Sequence, residues 1–317
     1  MDAAGRGDNA GQLTTGPGPR VWRAEPLHEI LTVVAAGVAR GEAVELVVLD
    51  PDRGRGLYAG EQVDGHVHRP WRVWVDLADR LTARLCTPHP AGDGLVRIRF
   101  EPLPPPAAAA PAPVAAEKYG TGSAFARISK LEDPGFVVDL REALARCRLA
   151  PTARVLALGC NSGNELVLVL EAAPAARLVG IDHAESAVAV ARARFPAAAF
   201  VTADLATLPA LALGGRFDLV LTLSTLQSPG VDDRALLRQL VQDHLAPTGA
   251  LILGLPNCRY VDGEVSYGAR MRNFAQPELG LLVKDVAFYR KYLQQHHRQV
   301  FVTGKHELFV TAVPTAE

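Results

Sequence analysis

The chain has 317 residues, 49% of them hydrophobic and 21% charged, a balance that fits one large or two ordinary globular domains and excludes wholesale disorder. Lys+Arg 33 against Asp+Glu 34 leaves a formal net charge of -1, so no whole-molecule electrostatic grip on nucleic acid is indicated. No apolar run approaches the roughly 18 residues of a membrane span, and Cys86, Cys147, Cys160 and Cys258 lack CxxC spacing. That argues against a disulfide framework and a structural zinc site, and leads to the expectation of a reducing, cytoplasmic location.

Residues 1–20 are rich in Gly, Ala, Thr and Pro without the apolar core of a signal peptide, and read as a disordered leader. Residues 21–101 read as a small α+β domain. Pro26–Ala39 has helical spacing, Ala43–Leu49 is strand-like, Trp71–Leu85 places Trp71, Trp74, Leu77, Leu81 and Leu85 on one helical stripe, and Leu95–Phe100 alternates like a half-buried strand. The tryptophans are expected in the core, and His66, His68 and His89 lack the carboxylate or cysteine company of a metal site. Ten Arg face twelve Asp/Glu in this stretch, so it has no basic bias.

Residues 102–116, dominated by Pro and Ala, read as a semi-stiff linker, since repeated proline blocks helix and strand alike. Residues 117–151 form a lead-in whose first part, Lys118–Ser123, is a candidate lid or a plain linker to a helix. From 152 to 317, strand-like runs (Arg154–Leu158, Arg177–Ile181, Ala199–Thr202, Phe217–Leu223, Ala250–Leu255) alternate with helical ones (Glu165–Ala172, Ser186–Phe195, Asp232–Leu245). Doubly apolar strands in βαβ alternation predict a parallel sheet covered by helices on both faces. A helix over Leu279–Gln295, then Gln299–Thr303 and Glu307–Val313 around Gly304-Lys305, predicts a closing antiparallel hairpin. Cys258 is expected at the end of the fifth strand as a buried, inert thiol.

Chemistry concentrates at the strand ends. The first strand runs into Leu158-Gly159-Cys160-Asn161-Ser162-Gly163, and the glycines let the backbone turn sharply and meet a ligand closely. The second strand ends at Asp182, nineteen residues after Gly163, where a carboxylate can accept from both hydroxyls of a ribose. The third ends at Asp204-Leu205, where a carboxylate can meet an adenine amino group. Asp182 as a helix cap and Asp204 as a turn-former are the bland alternatives.

On these residues the segment 152–313 resembles a class I S-adenosylmethionine-dependent methyltransferase. The resemblance implies a seven-stranded, mostly parallel Rossmann-like sheet with an antiparallel C-terminal hairpin, and S-adenosyl-L-methionine as cofactor. It implies that Gly159, Cys160, Asn161, Ser162 and Gly163 wrap the methionine part, that Asp182 holds the ribose, that Asp204 and Leu205 flank the adenine, and that His183 is also among the cofactor-binding residues. It also puts Thr222–Gln227 (TLSTLQ) beside the methyl-transfer site, with Thr222 toward the cofactor and Ser224 and Gln227 toward the acceptor, or as simple loop polars. Two positions depart from the family pattern: Ala157 stands where an acid is usual, and Asn161 replaces the middle glycine.

The acceptor is not encoded in any motif. Asn/Asp-Pro-Pro-Tyr/Phe is absent after the fourth strand, and no cysteine pair suits pyrimidine carbon methylation. Candidates for the acceptor site are Tyr119, Ser224, Gln227, Asn257, Arg259 and Tyr260, the last three from the long polar and aromatic stretch Pro256–Pro277, read as an insertion loop. From Arg259 to Lys305, eight Lys/Arg face four acids, a possible basic face for an anionic acceptor or a merely solvated one. Three readings follow: a methyltransferase for a small molecule, one for RNA or protein with residues 21–101 as recognition module, or a non-catalytic scaffold. The first is favoured, with no metal and no membrane partner expected and the oligomeric state open.

Overall fold

The computed structural model describes residues 20–104, 119–123, 125–261, 264–267 and 280–315. The stretch read as a leader therefore lies outside the described residues, save Arg20, as does nearly all of the proline-rich linker. The chain divides into two compact units, Met1–Ala107 and Ala108–Glu317.

In the first unit, strands β1 (Val44–Leu49), β6 (Leu95–Pro102) and β4 (Ala83–Leu85) lie side by side and antiparallel, with β5 (His89–Gly92) also paired to β6. Alternation along β6 sends Val96, Ile98 and Phe100 inward and leaves Arg97 and Arg99 to meet Glu45 and Glu101 outside. Helices α1 (Leu27–Ala39) and α2 (Trp71–Arg80) cover the inner face with Ile30, Val34, Trp74 and Leu77. Gly37 lets α1 lie close to β1, because a Cβ there would fall 2.2 Å from Val44 Cγ2. Strands β2 (Gln62–Val63) and β3 (His66–Val67) form a tight hairpin whose Asp64 and Gly65 both have positive φ, as such turns require. Trp74 is buried and Trp71 half-buried against the same core.

The stripe Trp71–Leu85 is not a single helix: α2 stops at Arg80, Thr82 turns at φ 51, and Ala83–Leu85 joins the sheet. Leu81 and Leu85 keep the apolar spacing of a helix, but pairing of Leu85 with Phe100 satisfies the backbone in the sheet instead.

The second unit begins with α3 (Pro134–Cys147), capped by Asp133, whose Oδ1 accepts from the amides of Gly135 at 2.9 Å and Phe136 at 3.3 Å. The sheet that follows has seven strands in the order β14-β15-β11-β10-β7-β8-β9: β7 (Arg154–Leu158), β8 (Arg177–Asp182), β9 (Ala199–Thr202), β10 (Phe217–Leu223), β11 (Leu245–Pro256), β14 (Arg298–Thr303) and β15 (Glu307–Pro314). β7 to β11 are mutually parallel; β15 runs antiparallel to both β11 and β14. The strands are apolar on both sides because each face carries its own core. Leu219, Leu221 and Ile252 meet α3, α4 (Leu166–Ala172) and α5 (Glu185–Arg194) on one face. Val220, Leu251 and Leu253 meet α6 (Asp233–Gln239) and α7 (Gly280–Gln295) on the other. The strand order reverses between β7 and β10, placing the switch-point crevice at their carboxyl ends.

Two boundaries move. The helix read over Asp232–Leu245 becomes α6 followed by a π-helical turn, Leu240–His244, and β11 begins already at Leu245. The stretch 256–277 is not simply a loop: β12 (Cys258–Val261) pairs antiparallel with β13 (Glu264–Tyr267), while 268–279 lies outside the described residues. Cys258 accordingly starts that ribbon and is half-buried, not a buried thiol ending β11.

Candidate functional site

The turn after β7 is built from residues that tolerate positive φ: Gly159 at 62, Asn161 at 45 and Gly163 at 72. Asp182 organises it. Its side chain is buried, with Oδ2 accepting from the Asn161 amide at 2.8 Å and Oδ1 from the Ala184 amide at 2.9 Å. Among the described residues Oδ2 has no second partner and keeps a lone pair for a ligand hydroxyl, while Oδ1 also faces His183 Nδ1 at 3.5 Å. Asp182 thus shapes the turn as well as standing at the strand end, a double role that spacing alone did not show.

Asn161 uses its whole amide. Oδ1 accepts from the Ser162 amide at 2.8 Å, and Nδ2 donates to the Tyr119 carbonyl at 2.8 Å. Thr121 donates its amide to Ser186 Oγ at 3.1 Å, and the Tyr119 ring meets the exposed His183 ring edge-on, 5.5 Å between centroids. The segment 119–123 is therefore docked on the ends of β7 and β8. Cys160 does not face the crevice: its thiol packs into the core against Phe200 and beside Gly180, and burial pushes its pKa up.

Asp204 is exposed, and its Oδ1 accepts from the Ala206 amide at 2.8 Å, starting the 3-10 turn Leu205–Ala210. Leu205 is half-buried against the second core. Thr222 is the penultimate residue of β10. It pairs in register with Leu158 and Leu253, is fully buried, and its hydroxyl has no partner among the described residues.

The segment after β10 contributes instead through Ser224, Thr225 and Gln227. Thr225 Oγ1 donates to the Leu158 carbonyl at 3.2 Å and closes against Gly159, whose Cβ, if present, would lie 2.2 Å from it. Both amide atoms of Gln227 are shielded from solvent without a partner among the described residues, an arrangement suited to a bound polar group. A small cavity of about 20 Å3, room for about one water, is bounded by Ala157–Cys160, Glu165, Leu166, Leu221 and Leu223.

A polar cluster that sequence reasoning missed sits beside it. Ser224, at φ 54, donates to Glu307 Oε1 at 2.8 Å, while Lys130 Nζ donates to Ser224 Oγ at 2.5 Å and to Glu307 Oε2 at 2.9 Å. Next to it His306 Nδ1 lies 2.9 Å from Asp133 Oδ2. Gly254 makes room for the carboxylate: a Cβ there would be 2.7 Å from Glu307 Oε1. Lys130, Ser224 and Glu307 stand 94 and 83 residues apart in sequence, so no local motif could announce them.

Of the other acceptor candidates, Asn257 donates through Nδ2 to the Lys305 carbonyl at 2.9 Å, buttressing the β14–β15 turn. Arg259 and Tyr260 belong to β12, and their side chains lie outside the described residues. The basic stretch loses one member: Arg298 is buried and spends its guanidinium on the carbonyls of Gly249 and Ala246. Among the described residues no cluster of three metal-ligating side chains occurs, and no helix is long and apolar enough to cross a membrane.

The sheet order, the reversed hairpin, and a glycine turn tied to an acid at the next strand end define the second unit as a class I S-adenosylmethionine-dependent methyltransferase domain. Residues 156–251 match a methyltransferase domain family. Curated relatives include trans-aconitate 2-methyltransferases of Delftia acidovorans, 30% identical over 149 residues (47% of this chain, 54% of that one), and of Variovorax paradoxus, 37% identical over 119 residues (38% and 44%). The chain spans about half the length of the curated relatives it matches. Among solved structures, the plantazolicin methyltransferase BpumL in complex with SAH aligns over 63% of this chain and 94% of its own, at 14% identity and a TM-score of 0.47.

S-adenosylmethionine is the cofactor of this domain class, and the crevice suits it. The residues at 157–163, 182–183 and 203–205 include two carboxylates and no Lys or Arg. Such a donor set accepts from hydroxyl and amino groups and tolerates a sulfonium, whereas it would repel a pyrophosphate.

Proposed function

We propose that the chain transfers a methyl group from S-adenosylmethionine to a small-molecule acceptor. The observation that carries this reading is the bond between the Asn161 amide and Asp182, which fixes the turn and the acid of the next strand as one unit. When bound, the cofactor supplies an electrophilic methyl group on a sulfonium.

The chain's own residues then do the holding. The Gly159–Gly163 backbone stands against the methionine part, and Asp182 accepts from the ribose hydroxyls with the His183 ring beside it. Asp204 and Leu205 meet the adenine. The docked segment 119–123 screens the turn from water, which strengthens polar contacts beneath it.

The small-molecule preference rests on a crevice bordered by half-buried polar groups and on a net charge of -1. The relatives' acceptor, trans-aconitate, does not transfer with the match, because the aligned part covers about half of those proteins.

Calorimetric titration with S-adenosylmethionine and S-adenosylhomocysteine tests the reading. Micromolar binding of both, followed by transfer of a labelled methyl group into a small-molecule extract, is the expected result. Folded, ligand-free protein that binds neither would turn the reading toward a non-catalytic scaffold.

A further inference from the structure

We propose that Ser224 takes the proton from the acceptor, with Glu307 behind it, and that the acceptor is therefore a protic nucleophile, a hydroxyl or amine N–H, and not an ionised carboxylate. This rests on the methyl-transfer reading above and specifies its chemistry.

A serine hydroxyl has one proton and two lone pairs. Ser224 gives its proton to Glu307 Oε1 at 2.8 Å and takes one bond from Lys130 Nζ at 2.5 Å, so among the described residues one lone pair is left. Ser224 is half-buried and follows Leu223, which bounds the cavity, and precedes Thr225, which abuts the first glycine of the turn. Ser224 thus directly follows the carboxyl end of β10, one of the two strands whose ends form the switch-point crevice. Glu307 itself is buried behind Ser224 and Lys130, both of which donate to its carboxylate.

The backbone adds a second, independent sign. Serine at φ 54 occupies a region that costs a non-glycine residue free energy, and such strain persists where geometry is held for use. A clasp between Lys130 and Glu307 alone, at 2.9 Å, would need no serine in that conformation.

The acceptor's lone pair forms the X–CH3 bond while the donor's S–CH3 bond breaks, its electron pair staying on sulfur. The X–H proton passes to Ser224 Oγ, and the Ser224 proton passes to Glu307, whose neutral carboxyl later returns it to water. Lys130 keeps its charge throughout and holds both oxygens in line. A carboxylate suffices as the terminal base because the X–H proton becomes strongly acidic as the new bond forms. An ionised carboxylate acceptor would have no proton to give, and Glu307 would repel it.

The test compares wild type with Ser224→Gly and Glu307→Gln, using methyl-labelled S-adenosylmethionine and two probes: a deproteinised cell extract and pure trans-aconitate. Glycine accepts φ 54 without strain, so Ser224→Gly removes the hydroxyl while leaving the turn intact. Base treatment of the products releases labelled methanol from methyl esters and leaves ethers and methylamines untouched.

The expected result is base-stable label from the extract. Ser224→Gly should lower kcat by about 100-fold or more, the usual worth of a positioned proton acceptor, with S-adenosylhomocysteine affinity within about twofold of wild type. Glu307→Gln should lower kcat much more than it changes KM, a split that a merely structural pair would not give. Base-labile label from either probe, or an undiminished rate in Ser224→Gly, overturns the inference while leaving methyl transfer standing. Absence of any transfer by wild type that binds S-adenosylhomocysteine overturns both.

Discussion

Thr225 Oγ1 occupies the space a side chain on Gly159 would need, 2.2 Å from the position of that missing Cβ. The first glycine of the turn is thus required by the loop after β10 as well as by any ligand above it. Gly159→Ala should cost about 2 kcal/mol or more, from the collision and from a positive φ that alanine resists. Thr225→Ala in the same chain should recover part of the loss, because the nearest remaining atom, Thr225 Cβ, lies at 3.0 Å. Denaturant melts of both single variants and the double variant measure that coupling.

Asp182 carries two backbone hydrogen bonds before any ligand arrives. Asp182→Ala should lower S-adenosylhomocysteine affinity by about 1.5–3 kcal/mol, the scale for a lost charged acceptor, and lower the melting temperature as well. Calorimetry and melting checked together separate this from a variant that loses ligand contacts alone. An unchanged melting temperature would mean the turn stands without its acid.

Asn161→Gly restores the residue usual in the family and removes the link to Tyr119. Relief of the strained φ offsets two lost side-chain bonds, so stability should shift by less than about 1 kcal/mol. Hydrogen exchange should nevertheless quicken at Thr121 and its neighbours, since the segment loses its tie to the turn at Tyr119. Unchanged protection there would show that Ser186 and His183 hold the segment by themselves.

Asp133 sets a pH dependence. Burial alone would raise its pKa, but the hydrogen bond with His306 and the amides of Gly135 and Phe136 outweigh it and hold the carboxyl below its ordinary 3.8. A carboxyl depressed on folding stabilises above its unfolded value and loses that contribution as pH falls through the folded one. Wild-type stability should therefore drop below about pH 4 more steeply than that of Asp133→Asn, which keeps a capping oxygen without the charge. Acid unfolding monitored by circular dichroism gives both curves.

The β8 ladder and the 158–163 turn could be located from the chain alone because both signals are local. Doubly apolar runs reveal buried parallel strands, and glycines reveal a backbone that must turn left-handed. The same locality misled at Trp71–Leu85, where helical spacing continued through residues that β6 recruits as a strand. Periodicity reports which face is apolar, not which backbone partner wins.

What the sequence by itself determined was the class of sheet, its hairpin end, and the acids at its strand ends. Tertiary structure decided the rest. It turned Cys160 into the core and kept Thr222 inside the ladder, because register and pleat set side-chain direction. It also gathered Lys130, Ser224 and Glu307 from three distant elements. The hairpin was legible, but not its register against β11, which sets Glu307 opposite Pro256 and so brings it to Ser224.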